Sequence, residues 1–263
     1  MPAYNVEEHI SDTLDSILNQ SFQNFEVIII NDGSTDSTQK IIDKYSAQYS
    51  NIKSIIQENQ GVAIARNNAL GLAEGEYIGF LDPDGDLFAE NSFYHINETI
   101  EYHESKGEIP DLVIGQQTTV DTWSKRSYKN AKELSFSADI LPHDERIIWT
   151  MLILNKMFRR EKILETGVKM PILTHASDAG FFFSFLYSCK KIVGCPHDFL
   201  IYKKRLFLED SSLSQDSNLN SINSYFKSYE IILKAFNSYC IRYRNELKKI
   251  ILTRNYMNLI EKL

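Results

Sequence analysis

Apolar residues recur at helical spacing through Val6, Ile10, Leu14, Ile17 and Leu18, which predicts an amphipathic helix. Asn5 ahead of them, with Glu8 three residues on, has the form of a capping box. Residues 25–30 form a short continuous apolar run rich in isoleucine, the signature of a buried strand. The run stops at Asn31-Asp32-Gly33-Ser34, a turn and helix-start cluster. Ile41, Ile42 and Tyr45 mark a second helix, and Val62, Ala65, Ala69, Leu70 and Leu72 a third. Strands are predicted between them, at residues 52–56 and 77–81. This alternation predicts an α/β fold with a mostly parallel central sheet and right-handed crossovers. Such a domain normally opens on a strand. The chain begins where that strand should be ending, so the strand is either very short or trimmed.

The second half is less regular. Residues 111–114 predict a strand, and residues 116–144 are polar and mixed with no clear period. Helical patterns return at residues 149–158 and 178–189, with a short strand at 191–194 between that helix and a long helical tail from about residue 221. Tyr225, Tyr229, Ile232, Leu233, Phe236 and Tyr239 form one stripe of this tail. Its later part carries Arg242, Arg244, Lys248, Lys249, Arg254 and Lys262. The stripes outnumber one packing face. The tail therefore packs on the rest of the chain, joins copies into a homo-oligomer, or touches an anionic membrane surface.

Composition narrows the class. A chain of 263 residues with 43% hydrophobic and 24% charged residues can bury a full core. A net charge of -7 argues against non-specific nucleic-acid binding. Three cysteines, Cys189, Cys195 and Cys240, form no disulfide framework and fit a reducing cytoplasm. No apolar run approaches the roughly 20 residues that span a bilayer, and no signal peptide precedes the first helix.

The chemistry concentrates at strand ends. Asp82 and Asp84 sit one residue apart where the apolar run 77–81 stops. Open α/β sheets bind ligands at the carboxyl ends of their strands, and carboxylates suit Mg²⁺ or Mn²⁺ carrying substrate phosphates. A plain Asp-Pro-Asp-Gly turn is the alternative. Three further clusters face the same sheet edge: Pro2-Ala3-Tyr4-Asn5, Asn31-Asp32-Gly33-Ser34, and Gln60-Gly61 leading to Arg66-Asn67. Tyr4 can pack on a nucleobase whose edge meets the Ala3 backbone. Asp32 can accept from a base or ribose, or cap a helix. Arg66 can reach a phosphate, lock the carboxylates, or form a surface ion pair.

Together these four motifs resemble the family 2 glycosyltransferases of GT-A fold, and the likeness covers residues 2–95 well. It implies an inverting enzyme that moves a sugar from a UDP-sugar to a hydroxyl acceptor on a surface polysaccharide, a teichoic acid or a glycoprotein glycan. Residues 1–95 would be the nucleotide-sugar-binding half, 96–218 the acceptor half and 219–263 the helical extension. By resemblance, Pro2, Ala3, Tyr4, Glu8, Asp32, Ser34, Arg66, Asp82 and Asp84 belong to the donor site, with Glu8 open between site and capping box. Asp84 is then the ligand of Mn²⁺ or Mg²⁺, and Asp82 meets ribose or the ion through water. The family often carries another aspartate directly after Asp84; here Gly85 stands there and Asp86 follows. Asp178, at the start of an apolar helix, takes the place of the general base, although Ser177 replaces the usual glutamate and a helix cap is the alternative. Asn155 to Arg160 resembles the segment before the acceptor site. Arg205 with Ser211, Ser212 and Ser214 resembles a loop that closes over the diphosphate, or is a polar surface loop. The departures at Gly85 and Ser177 keep a second reading open, a weakly catalytic sugar-nucleotide-binding module. A location in the cytoplasm, at the inner face of a membrane if the tail binds there, completes the expectation.

Overall fold

The computed structural model describes residues 1–121, 126–129, 152–204 and 219–239. Its first half alternates as the periodicity predicts: β1 (Pro2–Ala3), α1 (Ile10–Leu18), β2 (Val27–Asn31), α2 (Thr38–Gln48), β3 (Ile52–Ile56) and α3 (Val62–Leu72). The three strands pair in that order, all parallel, with Ile30 between Pro2 and Ile55. All five residues of β2 are buried, which is why its sequence runs apolar without alternation.

A second sheet takes β4 (Tyr77–Gly79), β5 (Leu87–Phe88), β6 (Leu112–Asp121), β7 (Arg126–Lys129), β8 (Lys156–Arg159) and β9 (Ile192–Lys204). Its order is β4-β8-β6-β9-β5, with β7 paired to β6. The long β6–β9 pairing is parallel, and the other pairs are antiparallel. The remaining helices are α4 (Ser92–Glu104), α5 (Arg160–Thr166), α6 (Ser177–Leu186) and α7 (Leu219–Tyr239).

Four sequence expectations change. The helix expected over 149–158 gives way at Lys156 to β8, wedged between β4 and β6; tertiary pairing overrides the local spacing. The irregular stretch after 116 begins as strand, because β6 continues to Asp121 alongside β9. The strand expected at 191–194 extends to Lys204. The capping box does not form. Asn5 lies in the left-handed region, at φ 50°, and its Oδ1 accepts the Thr35 N–H at 2.8 Å; α1 starts only at Ile10.

The core continues from the first sheet into the second. Phe80, Phe158 and Phe181 meet pairwise edge-to-face at 5.3–5.7 Å, which anchors α6 against the strands. On its far side α6 packs on α7: Phe236 lies 5.2 Å from the Tyr187 ring just past the end of α6, and Ser228 Oγ donates to Ala176 O at 2.8 Å. A Cβ at Gly180 would stand 2.7 Å from Pro171 Cγ, so this corner needs glycine. The described part of the tail thus packs on the body of the protein. Its basic continuation, residues 240–263, lies outside the described residues, as do Trp123, Trp149, Arg205, Ser211, Ser212 and Ser214. Among the described residues, no helix is long and apolar enough to cross a membrane.

Candidate active site around Arg66

The loops after β1 and β2 fold on one another through side chains that bind backbone N–H groups. Asn31 Oδ1 accepts the Ser34 N–H at 2.9 Å and closes the turn after β2. Gly33 takes φ 76° there, and a Cβ would stand 2.9 Å from Asn59 N. Ser34 Oγ accepts the Asn5 N–H at 3.1 Å. Glu7 accepts the Ser37 N–H at 2.7 Å. It is therefore Glu7, not Glu8, that stitches the first turn to α2; Glu8 is exposed. Ala3 is buried, with its carbonyl accepting the Asp32 N–H at 2.8 Å, while Tyr4 is half exposed on the rim.

Asp32 is buried at the end of β2. Its Oδ1 accepts from Gln57 Nε2 at 2.6 Å and from the Gln60 N–H at 2.9 Å, and its Oδ2 from the Gly61 N–H at 2.8 Å. It holds the start of α3, rather than the turn at Gly33-Ser34. Gln57 is a partner the sequence did not single out; only the fold brings it to Asp32.

Arg66, on α3, is buried. Its Nη2 straddles both oxygens of Asp82 at 2.8 Å. Burial works against the guanidinium charge, but Asp82, Asp178 and Asp84 together overcome it and raise its pKa. Asp82 touches this cation, and Asp178 and Asp84, also named from the sequence, act on it through space. Its Nε is buried without a partner among the described residues, an orphan donor of the kind an incoming oxygen satisfies.

Asp84 is half buried in the loop after β4. Gly85 next to it takes φ 112°, a conformation side chains rarely adopt, which accounts for the departure there. Asp86 turns away: its Oδ1 accepts the Lys203 N–H of β9 at 3.0 Å. Among the described residues, no three His, Cys, Asp or Glu side chains gather to hold a metal by themselves. A Mg²⁺-like ion needs only one or two carboxylates when phosphates and water complete its shell, and Asp84 beside Asp82 fits that donor set.

Asp178 comes from a separate element, the helix α6. It is the second residue of α6, whose N-cap is Ala176 at φ 58°, so it does not occupy the N-cap position. Burial pushes its carboxyl up, while Arg66 and the Ala179 N–H pull it back; burial wins. The segment that delivers it is clamped to α3 by Asn67, next to Arg66. Asn67 Oδ1 accepts the Met170 N–H at 2.8 Å, and its Nδ2 donates to Met170 O at 2.9 Å. His175 is buried toward α7, with Nε2 3.4 Å from Ser221 Oγ. Lys156, fully buried on β8, is the chargeable group near Asp178 that the sequence reading passed over.

A sheet edge that collects backbone-ordered loops and a cluster of carboxylates around one arginine is the layout of a nucleotide-dependent transferase domain. The chain belongs to Glycosyl transferase family 2, whose profile matches residues 1–185, and it has the GT-A fold. It is 40% identical over 117 residues to the minor teichoic acid biosynthesis protein GgaB of Bacillus subtilis, covering 43% of this chain and 13% of GgaB. The fold superposes with TM-score 0.81 on residues 1–349 of S. aureus TarS in complex with UDP-GlcNAc, at 24% identity over 97% of this chain and 71% of that one. The mannosyltransferase PcManGT of Pyrobaculum calidifontis, in complex with GDP-Man and Mn²⁺, superposes at TM-score 0.56 and 16% identity, covering 94% of this chain and 66% of that one.

Proposed function

We propose that this glycosyltransferase is inverting and metal-assisted, and that it moves a sugar from a UDP-sugar to a hydroxyl group of a surface glycan or teichoic-acid-like polymer. The observation that carries this reading is the Arg66 cluster, in which one buried guanidinium is paired with Asp82 and acted on by Asp178 and Asp84. An in-line displacement needs the leaving group and the base on opposite faces of the sugar. Asp178 takes the acceptor's proton as that oxygen bonds to C1. The bond from C1 to the diphosphate oxygen breaks, and its electron pair leaves with UDP. A divalent ion held by Asp84, with Asp82 beside it, would neutralise the charge growing on the diphosphate. Arg66 fixes the Asp82 carboxylate and offers Nε to the same anion. Tyr4 supplies a face for the base at the rim, and the loop that Asp32 organises forms the floor. The bound UDP-GlcNAc of TarS supports a UDP-sugar donor, the Mn²⁺ of PcManGT supports the ion, and GgaB supports the acceptor class.

The test is UDP release from a panel of UDP-sugars with Mn²⁺. Asp84→Ala should abolish release. Asp178→Asn should keep UDP affinity while turnover falls at least about 100-fold, the usual weight of a positioned base. Donors that bind without any turnover, even with acceptor extracts, would instead identify a sugar-nucleotide-binding module.

A further inference from the structure

Lys156 opens β8 and is fully buried, with 0% of its surface exposed. Its Nζ donates to Leu152 O and, at 2.8 Å, to Asn155 Oδ1. It also lies 4.7 Å from the centroid of the Phe182 ring. Phe182 is on α6, one turn after Asp178 and on the same side of the helix. The Asn155 that receives Nζ is itself fixed: its Nδ2 donates to Gly115 O at 2.9 Å, and its O accepts the Gly115 N–H at 2.9 Å. The ammonium is thus held by two neutral oxygens and an aromatic face, and Asp178 favours its charged form.

A lysine in such a place is costly. Burying an ammonium carries a penalty of several kcal/mol, and an apolar side chain of similar volume would ordinarily be more stable there. Stability alone therefore gives no reason for a cation at this point, whereas a carboxylate that must stay ionised beside it does. Arg66 from α3 favours the ionised Asp178 and Asp82 from the loop after β4 opposes it, while Asp178 in turn favours the charged Lys156 on β8. Arg66 is already engaged by Asp82 and also feels Asp84. Asp178 without Lys156 would lean on a guanidinium shared with two other carboxylates.

We propose that Lys156 is a positioning residue for sugar transfer: a buried cation that keeps Asp178 ionised to accept the proton, while its ties to Leu152 and Asn155 hold that strand entry in place. The proposal rests on Asp178 being the base. Burial brings the ammonium down to about 7, opposed by Asp178. Lys156 is thus charged across the acidic range, where Asp178 would otherwise take up a proton.

The experiment is the pH profile of UDP release from the UDP-sugar panel with Mn²⁺, in wild type, Lys156→Met and Lys156→Arg. In K156M the acidic limb should move toward neutrality by about one pH unit, the scale of losing one opposite charge, with UDP affinity within about twofold of wild type. K156R, which restores a charge, should bring the limb back. An unmoved limb in a folded K156M that binds UDP overturns the proposal while leaving Asp178 as the base. A D178N variant that transfers normally removes the base reading itself, and this proposal with it. If K156M does not fold, Lys156→Gln carries the same test, since its amide can still donate to Leu152 and Asn155. If neither variant folds, wild type decides by NMR: protonation of Lys156 Nζ must shift the Asp178 carboxyl carbon resonance, and its silence rejects the idea.

Discussion

The donor-side loops and the segment carrying Asp178 build their halves of the site by different means. Asp32, Asp36 and Glu7 are each fixed by backbone N–H donors from neighbouring turns, at 2.7–3.1 Å. Their geometry is set before any ligand arrives, and it costs no unpaired charge. Asp178 is governed instead by burial, by the distant Arg66 and by the N–H of the next residue. The donor side is thus ordered by hydrogen bonds that a few local residues supply. The base side is ordered by packing, and its charge is balanced across elements far apart in the chain.

Arg66→Ala strikes where the two halves meet. It leaves Asp82 without its partner and Asp178 without its main balancing charge. A loss of about 3 kcal/mol is expected in urea unfolding, near the low end for breaking a buried pair, with UDP release down more than about 100-fold. Full activity in this variant would mean that the halves work independently. Asn67→Ala should cost less, about 2 kcal/mol, by stranding the Met170 N–H and carbonyl. It should lower turnover and spare UDP affinity, because Met170 leads to the base and not to the donor loops. Ser34→Ala should do the converse at smaller scale: about 0.5 kcal/mol, a few-fold weaker UDP binding and unchanged turnover.

A further contrast is read from pH. Burial sets Lys156 at about 7 in the folded chain, against its ordinary value of 10.5. Between those values the unfolded chain holds a proton that the folded chain lacks, so this group makes stability rise with pH. The melting temperature of wild type should climb relative to K156M between pH 7 and about 9.5. A flat difference would place the ammonium in a wetter setting than the structure gives it.

The same contrast explains what the sequence disclosed. Strands β2 and β3 and helices α2 and α3 are local patterns, and Asp32, Arg66, Asp82 and Asp84 fall just past strand ends or on the helix facing them, so their placement was legible. At 149–158, Leu152, Ile153 and Met157 have helical spacing, and nothing local reveals that β4 and β6 will claim Lys156–Arg159 from both sides. Gln116 and Gln117 read as polar loop, yet both are buried in β6 beside β9, where the register shifts twice. Glu7 was overlooked for Glu8 because its partner, Ser37, belongs to another helix. Lys156 was one basic residue in a basic motif. Its burial becomes visible only once Phe182 and Asn155 close around it.

Asn67 has a thermodynamic corollary. Adjacent residues of one helical turn hold the donor-side carboxylate, through Arg66, and the backbone leading to the base, through Asn67. A ligand that displaces this turn on one side does work on the other. Linkage is reciprocal: whatever factor bound UDP-sugar imposes on acceptor affinity, the acceptor imposes on the donor. Measuring either ligand's affinity in the presence of the other therefore reports how stiff that single turn is.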